Sequence, residues 1–182
     1  PYITGSVVKT DEMFKGREIL LAELTELVCN PNQTSSVVIY GQKRAGKSSI
    51  LHHLCKRAPE WIIPVYVPLH EVFTSNDNLE KLLYYSLASY IEEESLKQRQ
   101  IELPKVNPDK FYDGLLASKS LKEYIVEANK VIGSQRRLLL LFDEFTDLTN
   151  KIENNSLSTQ TLRFFKALAE QGHFSWVIAG ID

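Results

Sequence analysis

The chain has 182 residues, of which 43% are hydrophobic and 24% charged, an ordinary globular composition that suits a single α/β domain rather than a disordered or fibrous chain. Its 21 basic and 23 acidic residues leave a formal net charge of -2, which excludes a global electrostatic pull toward nucleic acid or an anionic membrane and leaves room only for a local basic patch. No signal peptide is visible and the longest apolar run, Leu138 to Phe142, is far too short to span a bilayer, so a soluble, cytoplasmic protein is expected. Cys29 and Cys55 stand in no metal-ligand or C-x-x-C spacing and read as reduced core thiols.

Residues 1 to 16 form an irregular lead-in with Pro1, Gly5 and Gly16, and a helix is predicted from Arg17 to Cys29 with Ile19, Leu20, Leu24, Leu27 and Val28 on its apolar face. Asn30-Pro31 stops it. Ser36 to Tyr40 reads as a buried strand and Lys47 to Arg57 as a helix with Ile50, Leu51, Leu54 and Cys55 inward. Trp61 to Leu69 is a second strand, and Pro64 and Pro68, each lacking a ladder donor, favour an edge position for it. A long helix follows from Asp77 to Gln100, N-capped by Asn76 or Asp77, and Leu103-Pro104 through Pro108 breaks the pattern.

Ser120 to Glu123 has capping-box spacing and predicts a helix from Leu121 to Ile132, ended by Gly133. Leu138 to Phe142 is the most hydrophobic segment and is expected as a central parallel strand buried on both faces. Asp147 to Ser156 reads as a polar, mobile loop, Leu157 to Gln171 as a helix stopped by Gly172, and Phe174 to Ala179 as the last strand. Strands alternating with helices imply a doubly wound α/β sheet. A chain that starts at Pro1 and ends inside a strand-like run reads as a fragment of a longer one.

Between the first strand and the helix after it, Gly41-Gln42-Lys43-Arg44-Ala45-Gly46-Lys47-Ser48 is an unbroken G-x-x-x-x-G-K-[ST] phosphate-binding loop, with Ser49 following. Phosphates carry charge that only closely approaching donors offset, so the glycines let backbone N–H groups point inward, and the helix beginning near Gly46 adds its positive dipole end. Lys47 reaches the β- and γ-phosphates as a point charge, and Ser48 supplies a hydroxyl to Mg²⁺. A basic Gly-rich surface turn would require neither the buried strand nor the amphipathic helix. Lys43, Arg44, Lys56 and Arg57 surround the approach as steering charges or as ordinary solvated ones.

About 95 residues on, Asp143-Glu144 ends the most apolar strand, the Walker B arrangement. Asp143 is placed to hold Mg²⁺ through its water shell and Glu144 to polarise a water toward the γ-phosphate. A pair of acids merely capping a strand end is the bland alternative. Arg163 is the late arginine that would serve as a finger, but its amphipathic context favours a solvated face, so slow basal turnover is expected. Asn150-Lys151-Ile152-Glu153 resembles a guanine motif but lacks the preceding strand and the final Asp, so adenine is preferred. His52 and His53 lack a second ligand set, and Tyr84, Tyr85 and Tyr90 lack the interleaved basic residues of a stacking surface and read as helix packing.

With these residues in view, Met13-Phe14-Lys15-Gly16-Arg17-Glu18, Gly41 to Ser49, Phe142-Asp143-Glu144-Phe145 and Trp176-Val177-Ile178-Ala179-Gly180 together resemble the nucleotide-binding core of STAND-type and archaeal-type P-loop ATPases in the AAA+ division. The resemblance covers nearly the whole chain and implies one P-loop domain over residues 1–182, with 1–35 as lead-in and 36–182 as core. It implies a three-layer sandwich with a mostly parallel sheet, truncated before a fifth strand and helical lid, that takes ATP or ADP with Mg²⁺. It further nominates Phe14, Gly16 and Arg17 as base or ribose contacts and leaves Asp182 as one candidate for the polar sensor. The implied role is a slow regulatory ATPase switch whose partners are other domains of the parent chain, further copies or other proteins. An origin-recognition-like ATPase acting on DNA, a nucleotide-stabilised interaction module and a small-molecule kinase remain as rivals.

Overall fold

Among the described residues four parallel strands build the sheet: β1 (Ser36–Ile39), β2 (Ile62–Pro68), β3 (Arg137–Asp143) and β4 (Ser175–Ala179), in spatial order β1-β4-β3-β2. The computed structural model describes residues 18–30, 34–74, 78–114 and 116–180. β3 is flanked on both sides, and Leu138 to Asp143 are all buried, which is why this segment is continuously apolar up to its terminal acid. Among the described residues β2 is an edge strand, as its prolines predict. Pro64 and Pro68 are four residues apart, so both missing N–H donors point to the same, outer side of the strand. β1 is the other edge among the described residues and is half-exposed rather than buried as expected: Val38 is 44% exposed, and Tyr40, just past the strand, 68%.

The helices are α1 (Glu18–Val28), α2 (Lys47–Arg57), α3 (Leu69–Val72), α4 (Leu79–Arg99), α5 (Pro108–Tyr112), α6 (Ala117–Ile132), α7 (Phe145–Glu153) and α8 (Gln160–Glu170). Their division between the two faces follows from handedness. The β1-to-β2 crossover runs one way across the sheet and the β2-to-β3 and β3-to-β4 crossovers run back, so right-handed connections put α2 on one face and the later helices on the other. On the first face α1 and α2 cover Ile62, Leu139, Leu141, Val177 and Ala179 with Leu21, Val28, Ile50, Leu51 and Leu54. On the second, α4 to α8 pack Leu83, Leu87, Ile125, Leu148 and Phe165 against Val65, Val67, Leu140, Phe142 and Trp176.

Several expected boundaries move for identifiable reasons. α1 buries Leu21, Leu24 and Val28, whereas Ile19 is 77% exposed and Leu20 and Leu27 also face outward. Its sequence is apolar on more than one face, so packing against α2 selects the stripe. α4 begins at Leu79 after Asn78, and the expected caps Asn76 and Asp77 lie outside the described residues. α6 begins at Ala117: the Ser120 N–H already donates to the Leu116 carbonyl at 3.3 Å inside the first turn, and its hydroxyl donates to the Lys110 carbonyl at 2.7 Å instead of capping a helix. The segment expected as a mobile loop is largely helix α7: Leu148 is buried, with Phe145 and Ile152 packed against the same core. The spacing of 145, 148 and 152 is a helical stripe diluted by polar neighbours.

Candidate active site

Because all four strands run parallel, their carboxyl ends lie along one edge of the sheet, where α/β proteins bind ligands. The phosphate-loop sequence leaves β1 there and enters α2 at Lys47. Gly46 takes φ 83 and ψ 20, a left-handed conformation that glycine adopts without strain, and the Ala45 N–H donates to the Gln42 carbonyl at 3.1 Å to close a turn. The Lys47 ammonium folds back over the loop and donates to the carbonyls of Gly41 at 2.7 Å and Gln42 at 2.9 Å. Lys43 and Arg44 are exposed, Ser48 is half-buried and Ser49 is buried. The first turn of α2 holds no acidic residue, so no side chain of the helix itself offsets its positive end.

Asp143, the last residue of β3, is 4% exposed and well bonded: its Oδ1 accepts the Glu144 N–H at 3.0 Å and its Oδ2 accepts the Tyr66 hydroxyl at 2.6 Å. Burial and, after it, the hydrogen bond to Asp143 push the Tyr66 phenol well above its ordinary value, so the phenol is the donor. The Tyr66 ring in turn stacks on His52 of α2, with centroids 4.4 Å apart and an interplanar angle of 27°. Glu144 is half-buried and sits at the N-cap of α7 with φ 53 and ψ 45. A left-handed glutamate costs on the order of 1–2 kcal/mol, and such outliers collect at functional sites.

The fold therefore brings the loop residues Gly41 to Ser49 and the pair Asp143-Glu144 to one sheet edge. Phe14, Gly16, Arg17 and Asp182 lie outside the described residues. Arg163 is exposed on α8. Asn150 to Glu153 belong to helix α7, without the preceding strand that a guanine motif needs. His53 is buried, Tyr84 is a core residue edge-on to Phe164 and Phe165, and both cysteines are buried and free. Tyr66 was not singled out from the sequence. The available signal was the alternation of β2, which puts Tyr66 opposite Leu141 and on the same face as Asp143.

The donor set suits magnesium, a hard cation that takes oxygen ligands, keeps several waters and uses one or two carboxylates plus phosphates. Asp143 and Ser48 supply such oxygens, and among the described residues no group of three or more His, Cys, Asp or Glu forms an all-protein metal cage. Among the same residues no helix is long and apolar enough to cross a membrane.

A parallel sheet flanked by helices on both faces, with a phosphate loop and an acid pair at one edge, defines an α/β P-loop sandwich. The chain belongs to the family described as an ATPase domain predominantly from Archaea, whose model matches residues 14–181. It is similar in fold to the Walker-type ATPase paby2304 of Pyrococcus abyssi, at 17% identity and a TM-score of 0.64, covering 96% of this chain and 47% of that one. It is likewise similar to the ORC2 protein of Aeropyrum pernix, solved as ADPNP-ADP complexes, at 16% identity and a TM-score of 0.63, covering 93% of this chain and 42% of that one. The chain thus spans less than half the length of these two structures. No curated protein matches it.

Proposed function

We propose that this ATPase domain binds Mg²⁺-ATP at the carboxyl edge of the sheet, hydrolyses it slowly, and serves as the nucleotide-dependent switch of a larger, STAND-like regulatory protein. The observation that carries the reading is the convergence of the Lys47 loop with Asp143 and the left-handed Glu144 at one edge. Gly41 to Gly46 cradle the phosphates with backbone N–H groups, and Lys47 exchanges its bonds to the Gly41 and Gln42 carbonyls for phosphate oxygens. Ser48 and Asp143 would hold Mg²⁺, Asp143 through the ion's waters; the ion's contribution is to neutralise charge on the β- and γ-phosphate oxygens. Glu144 orients and polarises the attacking water. Phe14, Gly16 and Arg17 are assigned to the base and ribose.

Exchange of Lys47 between loop carbonyls and a γ-phosphate gives the loop two arrangements that ATP and ADP bias differently, which is the requirement for a switch. Calorimetry with ATP and GTP, with and without Mg²⁺, tests the reading together with phosphate release. Lys47→Ala should weaken Mg²⁺-ATP binding roughly 10- to 100-fold, the loss of a charge-assisted contact. Glu144→Gln should retain binding and lose turnover. Equal binding by Lys47→Ala in a folded sample would overturn the assignment.

An origin-recognition-like role in the parent protein is the second reading, supported by the likeness in fold to the Aeropyrum pernix ORC2 protein. Steeply salt-dependent DNA binding by the full-length protein would favour it over the regulatory reading.

A further inference from the structure

Asp143 ends β3 in a setting more elaborate than a strand-terminal acid requires. Its two oxygens take separate donors from separate elements: Oδ1 the Glu144 backbone N–H at 3.0 Å, and Oδ2 the Tyr66 hydroxyl of the neighbouring strand at 2.6 Å. Together these bonds fix both the direction of the side chain and the rotation of the carboxylate plane. Tyr66 is itself fixed by its stack on His52, 4.4 Å away. His52 lies four residues after Ser48, one turn further along the same face of α2, so the second oxygen donor and the aromatic support share a helix stripe. A continuous path therefore runs from the loop-bearing helix through two stacked rings to the buried acid at the end of β3.

We propose that Tyr66 is a positioning residue for the ATPase reaction: its hydroxyl, braced by His52, orients the Asp143 carboxylate for the water shell of the nucleotide's divalent cation. The inference rests on the nucleotide reading of the site and deepens it. Hydrogen-bonded partners of metal-binding carboxylates orient the carboxylate, and their loss costs about 10- to 100-fold in metal affinity or activity. Each carboxylate oxygen has more than one lone pair, so a donated bond from the phenol leaves acceptor capacity for a metal-bound water. The arrangement couples α2 to Asp143 directly. Displacement of the phosphate loop and its helix therefore reaches the cation site through the His52–Tyr66 stack as well as through Ser48.

Tyr66→Phe keeps the ring, its stack and the strand, and removes only the hydroxyl. The readouts are ATP affinity by calorimetry at zero Mg²⁺ and across a Mg²⁺ series, the Mg²⁺ concentration giving half-maximal phosphate release, and thermal unfolding as a check on folding. The expected result is an unchanged Mg²⁺-free affinity with the Mg²⁺ half-saturation point raised about tenfold or more in both assays. His52→Ala should move the same quantity in the same direction by less. Combined with Asp143→Asn, Tyr66→Phe should add no further shift, because the group it orients has already lost its charge. A Mg²⁺ dependence unchanged or strengthened by Tyr66→Phe, an equal loss of affinity with and without Mg²⁺, or full additivity with Asp143→Asn would each overturn the inference. If the unaltered protein shows Mg²⁺-dependent ATP binding and Tyr66→Phe shifts nothing, this inference alone falls. If the unaltered protein shows no such binding, the reading of the site falls with it.

Discussion

The two faces of the sheet divide the labour of the molecule. The face covered by α4 to α8 carries the broader core, with Phe142, Phe165, Phe174, Trp176 and Tyr84 meeting in a network of edge-on and tilted rings. The face covered by α1 and α2 carries a smaller aliphatic core, and at its carboxyl end the phosphate loop, Tyr66 and His52. Phe142 and Asp143, adjacent in sequence, belong to opposite faces: the ring joins the aromatic network and the carboxylate reaches Tyr66. The strand's two-residue period thus lets one segment anchor the fold and end in the candidate site. Stability and site are separable to the extent that the faces are.

The sharpest way to break this comparison is Phe165→Ala, which removes a fully buried ring in contact with Phe142 and Tyr84. About 3–5 kcal/mol of stability should be lost in urea unfolding, with Mg²⁺-ATP affinity of the folded fraction unchanged within twofold. A parallel fall in affinity would show that the faces act as one unit. Glu144→Gly probes strain at the seam. Relief of the left-handed conformation should stabilise the protein by up to about 1 kcal/mol while phosphate release drops on the order of 10²-fold. Destabilisation instead would mean that Glu144 is structural.

The smallest effect concerns the thiols of the site face. Burial pushes Cys29 up to about 11 and Cys55 up to about 12 from an ordinary 9.0, so both stay protonated and inert at neutral pH. Neither should react with a thiol reagent at pH 8 until the protein is unfolded. Folded values above unfolded ones mean that this stabilising contribution is complete below pH 9 and is lost as pH rises toward 11 to 12. The melting temperature should therefore fall above pH 9, first for the thiols and then for Tyr66, Tyr84 and Tyr124, which burial also pushes up. A flat profile to pH 10 would contradict the burial of the thiols.

Much of the candidate site was legible because its motifs are local in the chain. The phosphate-loop pattern requires a contiguous turn between a strand and a helix, and Gly41 to Ser48 lies between β1 and α2 as that pattern expects. An acid pair must follow an apolar strand, and Leu138 to Glu144 does so. The prolines of β2 likewise favoured the edge position it holds among the described residues, since a missing N–H is a local fact with a topological consequence. Legibility failed where polar residues diluted a period, as in α7, where several faces were apolar at once, as in α1, and where a capping pattern lay inside a helix that starts upstream of it, as at Ser120.

By itself the sequence determined the fold class, the edge and centre of the sheet, and the two motifs, because each depends on periodicity, backbone freedom or donor count within a few residues. Only the tertiary structure decided which stripe of α1 is buried, that β1 is half-exposed, and that Tyr66 and Asp143, 77 positions apart, share a hydrogen bond. These depend on which strand lies beside which. That arrangement is set by packing and crossover handedness across the whole sheet, which no local stretch of sequence contains.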